Sequence, residues 1–502
     1  MSDHPSIPLT TTGNSTRPGQ VPSPTLRTVV RSSGWSAVDL LVRTGGQFVI
    51  TVILARLLDP RDFGLWAMAM ILSIMATTLI ATGISTSLLR NHNSTAEEES
   101  TLMWLGCLAS IVLAGAIYLL ADPISSFFGQ GSLSHLIALA ACTVIIAAPS
   151  TVPTAILTRE LRFGKMAIVS ILSVMAGGVI GIGMARAGRG AEAFAGMAIA
   201  MALVQTTGLL IAARWWPRGF RLSAAREALH FGKWMSMSAG LEMAYTQGTT
   251  ALLGRIYGAG DVGLFGRAYS LQQTVQTLIS GLVGRMAMPV FAANGHDRDR
   301  MRRGMELALR LTMLINLPAM IGLALVADLI IDVLYGSKWA SAAPLLSIIA
   351  IGGALFPLNL LNVQLLAATG HGRAFFRLEL LKKTFGFTAI AIASQIGLLY
   401  MAGALTLASL FSVYANSRQT DALIGYPLVR QLRDLSDLLM PIFALVASVL
   451  LLRSFTTMQP VTELIACVIL GAATYFAVGF IARATSFKNL ESSVLTALRA
   501  AS

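Results

Sequence analysis

Charge is scarce in this chain. Only 12% of its 502 residues are Asp, Glu, Lys or Arg, about half the share of a soluble domain. So few charges could not cover the surface of a water-soluble protein of this length. With 55% hydrophobic residues and a mean hydropathy of +0.70, an apolar solvent is the simpler account. Cysteine is scarce too. Cys107, Cys142 and Cys467 lie far apart in apolar runs with no C-x-x-C spacing, which argues against disulfides and against a metal site. Catalytic signatures are missing as well: there is no P-loop and no H-E-x-x-H, so neither an intrinsic ATPase nor a zinc protease is expected. Gly258-Ala-Gly260-Asp-Val-Gly263 matches G-x-G-x-x-G, but no strand precedes it, and a dinucleotide cofactor is not expected. The chain reads as a non-enzyme without a cofactor.

Acidic residues are the minority sign, 24 against 37 Lys and Arg, for a net charge of +13. In a soluble protein that excess would suggest nucleic acid. Here the basic residues fall in short stretches between apolar runs, the pattern that sets membrane topology, so no nucleic-acid partner is expected. Residues 1–32 are rich in Ser, Thr and Pro and read as a disordered cytoplasmic tail. They lack the early apolar region and cleavage site of a signal peptide, so the first apolar segment is expected to be a retained span.

A helix needs about 20 apolar residues to cross the hydrocarbon. Fourteen segments of that kind can be read: 34–56, 63–89, 101–121, 133–156, 167–185, 193–213, 233–254, 264–292, 305–327, 341–367, 384–400, 401–416, 437–455 and 461–482. The split within 384–416 rests on a turn at Ala402-Gly403 alone. With the N-terminus in the cytoplasm, 27 of the 37 Lys and Arg fall on the cytoplasmic side and 7 opposite, leaving Arg43, Arg267 and Arg285 inside spans. That bias supports the even count and two cytoplasmic termini together. The outward loops are all short, which leaves no room for an outward catalytic domain.

The chain repeats itself. Ile53–Ala69 and Leu252–Ala268 align at an offset of 199, with identities at Leu54/Leu253, Arg56/Arg255, Asp62/Asp261, Gly64/Gly263, Leu65/Leu264 and Ala69/Ala268. Trp35/Trp234 and Thr51/Thr250 extend the match to eight identities over 35 positions. Arg, Asp, Gly and Trp are not generic membrane residues. Six spans separate the copies, so both have the same orientation, as in transporters built from parallel repeats. The expected fold class is an all-α polytopic membrane protein of two six-helix lobes plus two helices. The organisation is a tail at 1–32, an N-lobe at 33–213, an interfacial linker at 214–232, a C-lobe at 233–420, and two further spans with a cytoplasmic tail at 421–502. The linker joins Trp215, Trp216 and Phe220 with Arg214, Arg218, Arg221 and Arg226, a composition suited to the anionic inner leaflet. A cavity between two such lobes can open alternately to each side.

L-A-R-L-L-x-P-x-D-F-G-L at Leu54–Leu65 and G-R-I-Y-G-A-G-D-V-G-L-F-G-R-A-Y-S-L-Q at Gly254–Gln272 resemble the polysaccharide-transporter branch of the MOP superfamily. The likeness is to Wzx-type flippases, the colanic-acid exporters in particular, and covers about residues 34–480. It implies fourteen helices in two lobes. It also implies flipping of undecaprenyl-diphosphate-linked oligosaccharide across a bacterial inner membrane, for surface polysaccharide such as lipopolysaccharide or exopolysaccharide. The implied partners are that anionic lipid-linked oligosaccharide and membrane lipids, with H⁺ or Na⁺ as candidate coupling ions.

Charged groups at membrane depth cost about 2.5–3.5 kcal/mol each on insertion scales and normally face a cavity or a partner. The candidates are Asp39, Arg43, Glu242, Arg267 and Arg285. Asp39, Arg43, Gln47 and Thr51 recur at every fourth residue, a polar stripe along one helix side. The 199 offset carries them onto Ser238, Glu242, Thr246 and Thr250, all polar. The two stripes are expected to face each other across the pseudo-two-fold axis, with Arg43 opposite Glu242. The alternative is a local Asp39–Arg43 pair. Arg267 and Arg285 lie 18 residues apart, five turns and about 27 Å along one face. Both suit a diphosphate, or else snorkel to headgroups. Gln272, Gln273 and Gln276 offer hydrogen bonds to sugar hydroxyls, or to neighbouring helices. Two other functions stay open: a MATE-type antiporter of cationic drugs, whose pocket should be acidic, and a membrane polymerase or glycosyltransferase, which the short loops disfavour.

Overall fold

The structure, a computed structural model, describes residues 43–90, 94–293, 297–368, 372–456, 458–482 and 486–487. Among them there are helices and no strands. The N-terminal half of the chain comprises α1 (43–57), α2 (Pro60–Arg90), α3 (Ala96–Leu119), α4 (Ala121–Phe128), α5 (Leu133–Ala147), α6 (Thr151–Arg159), α7 (Phe163–Arg186) and α8 (Glu192–Ala213). The second half comprises α9 (Leu222–Tyr257), α10 (Ala259–Ala293), α11 (Arg298–Leu325), α12 (Ala327–Tyr335), α13 (Ala343–Gly353), α14 (Phe356–Ala368), α15 (Gly372–Ala393) and α16 (Leu398–Ile424). The chain continues through α17 (Leu428–Asp434), α18 (Leu439–Phe455) and α19 (Pro460–Ile481).

Nine helical segments among the described residues are long and apolar enough to cross a membrane. A tenth forms if α13 and α14, bent by 42° at their break, count as one span. The remaining expected spans fall on α1, α9, α10 and α15. Of these, α1 is described over 15 residues only, while α9, α10 and α15 carry charged residues inside the helix, such as Glu242, Arg267 and Lys382, which lowers their apolar character.

Two readings of the sequence need correction. The helices meeting within 384–416 break at 394–397, not at Ala402-Gly403. The turn is closed by the Ser394 and Gly397 amides, which donate to Ile390 and Ala393 carbonyls. Ala402 and Met401 are fully buried in the first turns of α16, where Gly403 is tolerated because glycine is common in transmembrane helices. The linker read at 214–232 is not an element of its own. From Leu222 onward it forms the opening turns of α9, which runs 36 residues without a break.

The 199 offset reappears in the backbone. α2 begins at Pro60 and α10 at Ala259, and each follows a short break after the preceding helix. These N-termini cross at a pair of repeated glycines. A Cβ on Gly64 would fall within 3.0 Å of the Ala259 carbonyl oxygen, and one on Gly263 within 3.0 Å of the Pro60 carbonyl oxygen. The two contacts exchange equivalent residues, as a two-fold axis between the glycines requires. Neither tolerates a side chain, because the obstacle is backbone. One hydrophobic cluster extends through this crossing and draws on both halves, with Leu54, Phe63 and Met68 from one and Leu253, Phe265 and Trp339 from the other. Phe63 stacks edge-on against Phe194 at 4.5 Å and Trp339 at 5.0 Å between ring centroids.

The C-terminal helices dock on the second half through a buried ionic cluster. Arg310 on α11 reaches Glu306 at 3.3 Å, Asp434 at 3.3 Å and Asp437 at 3.5 Å. Tyr426, in the link between α16 and α17, donates to Asp434 at 2.6 Å. Burial, then the Asp434 carboxylate, pushes its phenol well above the usual range. Tyr475 on α19 donates to the Leu314 carbonyl at 3.0 Å.

Candidate functional site

The second half encloses a cavity of about 330 Å³ walled by α9, α10, α13, α14, α15 and α16. Along α10 its Gln272 and Gln276 lie nine and thirteen residues beyond Gly263, about 14–20 Å from the helix crossing at 1.5 Å per residue. The wall is polar for a group of apolar helices. Glu242 and Thr246 come from α9, Tyr269 and the three glutamines from α10, and Lys382, Lys383 and Glu379 from α15.

Two ammonium groups stand side by side here in different surroundings. Lys383 Nζ lies 2.8 Å from Glu242 Oε1 and 4.4 Å from the Tyr245 ring centroid, an ion pair with a cation–π contact beneath it. Glu242 is half exposed, so this pair faces the cavity opening. Lys382 is only 6% exposed. Its ammonium donates to Glu379 Oε1 and, at 3.1 Å, to Asn416 Oδ1, while Asn416 in turn donates to Asn359 Oδ1. The glutamines are seated by absence of bulk: a Cβ at Gly353 would collide with the Gln272 amide and press on that of Gln276. Gln273 Nε2 donates to the Tyr269 hydroxyl at 3.1 Å. Ammonium groups, amides and aromatic rings together can hold a phosphate and a sugar, the first by charge and the others by hydrogen bonding and stacking.

The residues singled out in the sequence distribute unevenly. Glu242, Thr246 and the three glutamines meet in the cavity wall. Arg43 and Gln47 are exposed on α1 and are not part of that wall. The ion-pair partner of Glu242 in this conformation is Lys383. Arg267 sits at the helix crossing, its guanidinium carbon 4.9 Å from the Phe63 ring centroid. Asp39 and the side chains of Ser238 and Arg285 lie outside the described residues. Sequence reasoning missed Lys382, Lys383 and Glu379. The apolar run starting at 384 made the two lysines look like a loop-side flank, but α15 begins at Gly372. A Glu followed by Lys at i+3 and i+4 was the available helical signal.

A model of a family described as polysaccharide biosynthesis protein matches residues 53–344, more than half the chain. The chain belongs to that family. Its relatives are of the Wzx type. The succinoglycan biosynthesis transport protein ExoT of Rhizobium meliloti is 26% identical over 74% of this chain and 75% of its own length. The lipopolysaccharide biosynthesis protein WzxC of Escherichia coli is 26% identical over 75% of this chain and 76% of its own. Among solved structures, the lipid II flippase MurJ in an inward closed conformation superimposes with a TM-score of 0.72, at 14% identity, over 91% of this chain and 99% of its own. An inward-facing MATE multidrug transporter of the MOP superfamily gives 0.58 at 14% identity, over 79% and 98%. The fold of this polysaccharide-family member is therefore the one shared by those two structures, and its long apolar helices make it an integral membrane protein.

Proposed function

We propose that the protein flips an undecaprenyl-diphosphate-linked oligosaccharide across a bacterial inner membrane, supplying surface polysaccharide synthesis. The observation that carries this reading is the cavity wall: two lysine ammonium groups, three glutamines and Tyr269 around one space. A diphosphate brings concentrated negative charge to such a wall, and sugar hydroxyls bring donors and acceptors for the amides. The names of the relatives, a succinoglycan transport protein and a lipopolysaccharide biosynthesis protein, agree with that chemistry.

In this account the fourteen spans form two lobes, 33–213 and 233–420, with both termini cytoplasmic. The cavity opens to each side in turn as the lobes rock about the α2–α10 crossing. Arg43 and Gln47 of the first lobe face Glu242 and Thr246 of the second during part of the cycle, and Glu242 then exchanges Lys383 for Arg43. Arg267 and Arg285 act at the two ends of α10. H⁺ or Na⁺ is the candidate coupling ion.

A cation antiporter is the competing reading; in the wall each lysine is matched by a glutamate, Glu379 to Lys382 and Glu242 to Lys383, so the pocket has no excess of acidic charge to draw a cation. One preparation of proteoliposomes separates the two. The protein should move a fluorescent undecaprenyl-diphosphate saccharide and leave ethidium uptake at the level of empty vesicles. Ion-driven ethidium transport without saccharide movement would assign the antiporter instead.

A further inference from the structure

The repeated segment, Ile53–Ala69 and its copy Leu252–Ala268, does not line the cavity. Its matched arginines, Arg56 and Arg255, do something else, and they do it symmetrically. Arg56, at the end of α1, donates through Nε to the Leu334 carbonyl at 3.1 Å and through Nη2 to the Val333 carbonyl. Both acceptors lie in the last turn of α12, in the opposite half. Arg255, its equivalent at the end of α9, donates through Nη1 to the Phe127 carbonyl at 2.6 Å, and its guanidinium lies 5.2 Å from the Phe127 ring centroid. Phe127 is in the last turn of α4, again in the opposite half. α4 and α12 are themselves counterparts. Each is a short helix that follows a long one after a single linking residue, and each ends at a glycine of positive φ, Gly129 at 65° and Gly336 at 88°.

The chemistry suits the positions. The last carbonyls of a helix have no partner within it and sit at the negative end of its dipole, so a guanidinium fork is matched to them. Other bonds across the halves gather at the same end. Lys338 pairs with Asp59 at 2.8 Å, and the Trp339 indole donates to the Ala55 carbonyl at 2.9 Å. The Gly64–Ala259 and Gly263–Pro60 crossings lie directly beside them.

We propose that Arg56 and Arg255 form a two-armed clasp, each arm gripping the short helix of the other half, which holds the molecule shut at this end and must release for the cavity to open there. The motif is then a gate signature rather than a substrate-binding one. The arms are unequal. The Arg56 side is reinforced by Asp59–Lys338 and Ala55–Trp339, so the Arg255 arm lets go first. This gate rests on the two-sided cycle of the proposed function, yet its test needs no substrate.

The probe is a membrane-impermeant maleimide acting on Gln273→Cys, in protein whose Cys107, Cys142 and Cys467 are replaced by Ala, in membrane vesicles of both orientations. Arg56→Ala with Arg255→Ala should raise labelling from the clasp side on the order of tenfold, the size of a typical conformational coupling. Labelling from the other side should not rise. Arg255→Ala alone should do more than Arg56→Ala alone. An unchanged rate in the double variant, or an equal rise from both faces, overturns the clasp. If the double variant fails to fold, a tether replaces it. Asp59→Cys bridged to Lys338→Cys by a bifunctional thiol reagent should slow amide hydrogen exchange across Ala259–Phe265 severalfold, and no slowing overturns the proposal. One-sided opening in these variants, with no saccharide movement by protein that retains Gln273, would keep the gate and sink the flippase.

Discussion

The two lysine–glutamate pairs in the cavity wall differ in depth, and removing each carboxylate should therefore do different things. Lys382 is 6% exposed and Glu379 21% exposed. Glu379→Ala leaves an ammonium buried with Asn416 Oδ1 as its remaining acceptor among the bonds described above. Breaking a buried pair by removing one partner costs about 3–5 kcal/mol. The outer pair is different: Glu242 is 52% exposed and Lys383 20%. After screening by solvent such a pair contributes about 0–1 kcal/mol. Glu379→Ala should therefore lower the unfolding midpoint in detergent, followed by intrinsic fluorescence, on the order of 5 °C, whereas Glu242→Ala should barely move it. Transport should reverse the order of interest, with Glu242→Ala protein present at normal levels but impaired in flipping. Replacing both inner partners, Glu379→Leu with Lys382→Met, should recover most of the lost midpoint, because an apolar pair of similar volume has no desolvation to offset. Equal midpoint shifts for the two single variants, or a double variant no better than Glu379→Ala, would refute the assignment of a structural inner pair and a functional outer one.

Gly64→Ala and Gly263→Ala each place a methyl against a backbone carbonyl of the crossing helix; overpacking of this kind typically costs about 1–3 kcal/mol, and both variants should lose yield or monodispersity on size-exclusion chromatography. Normal behaviour of either would mean the helices do not cross so closely. The charge exchange Arg43→Glu with Glu242→Arg tests the cross-lobe stripe. Export by the double variant above both single reversals supports pairing of these residues during the cycle, and simply additive losses favour the local Asp39–Arg43 alternative.

Much of the architecture was legible because the repeat carries residues that membranes do not supply by chance. Arg56/Arg255 and Gly64/Gly263 predicted two equivalent helix pairs, and α2 and α10 begin 199 residues apart. The use of those residues was not legible. An Arg next to a span end looks the same whether it meets a headgroup or a helix terminus in the other half. Arg267 illustrates the difficulty, since its neighbour Phe63 is distant in sequence. Lys382 and Lys383 escaped notice for a different reason: α15 carries five charged residues in its first twelve, so hydropathy starts the helix too late and moves both lysines into a loop. Of the polar stripe on α9, Glu242 and Thr246 line the cavity. Its partner in this conformation is on α15, and nothing in the offset of 199 points there.

The central claim is that this protein moves a lipid-linked oligosaccharide between leaflets, and the most direct measurement is flipping itself. Purified protein is reconstituted with a fluorescent undecaprenyl-diphosphate saccharide, and an impermeant reductant quenches the label on the outer leaflet. If the account holds, the protected fraction falls below that of protein-free vesicles in wild-type proteoliposomes, and returns toward the protein-free value with Glu242→Ala. A protected fraction equal to that of empty vesicles, from protein that is folded and inserted, would contradict it.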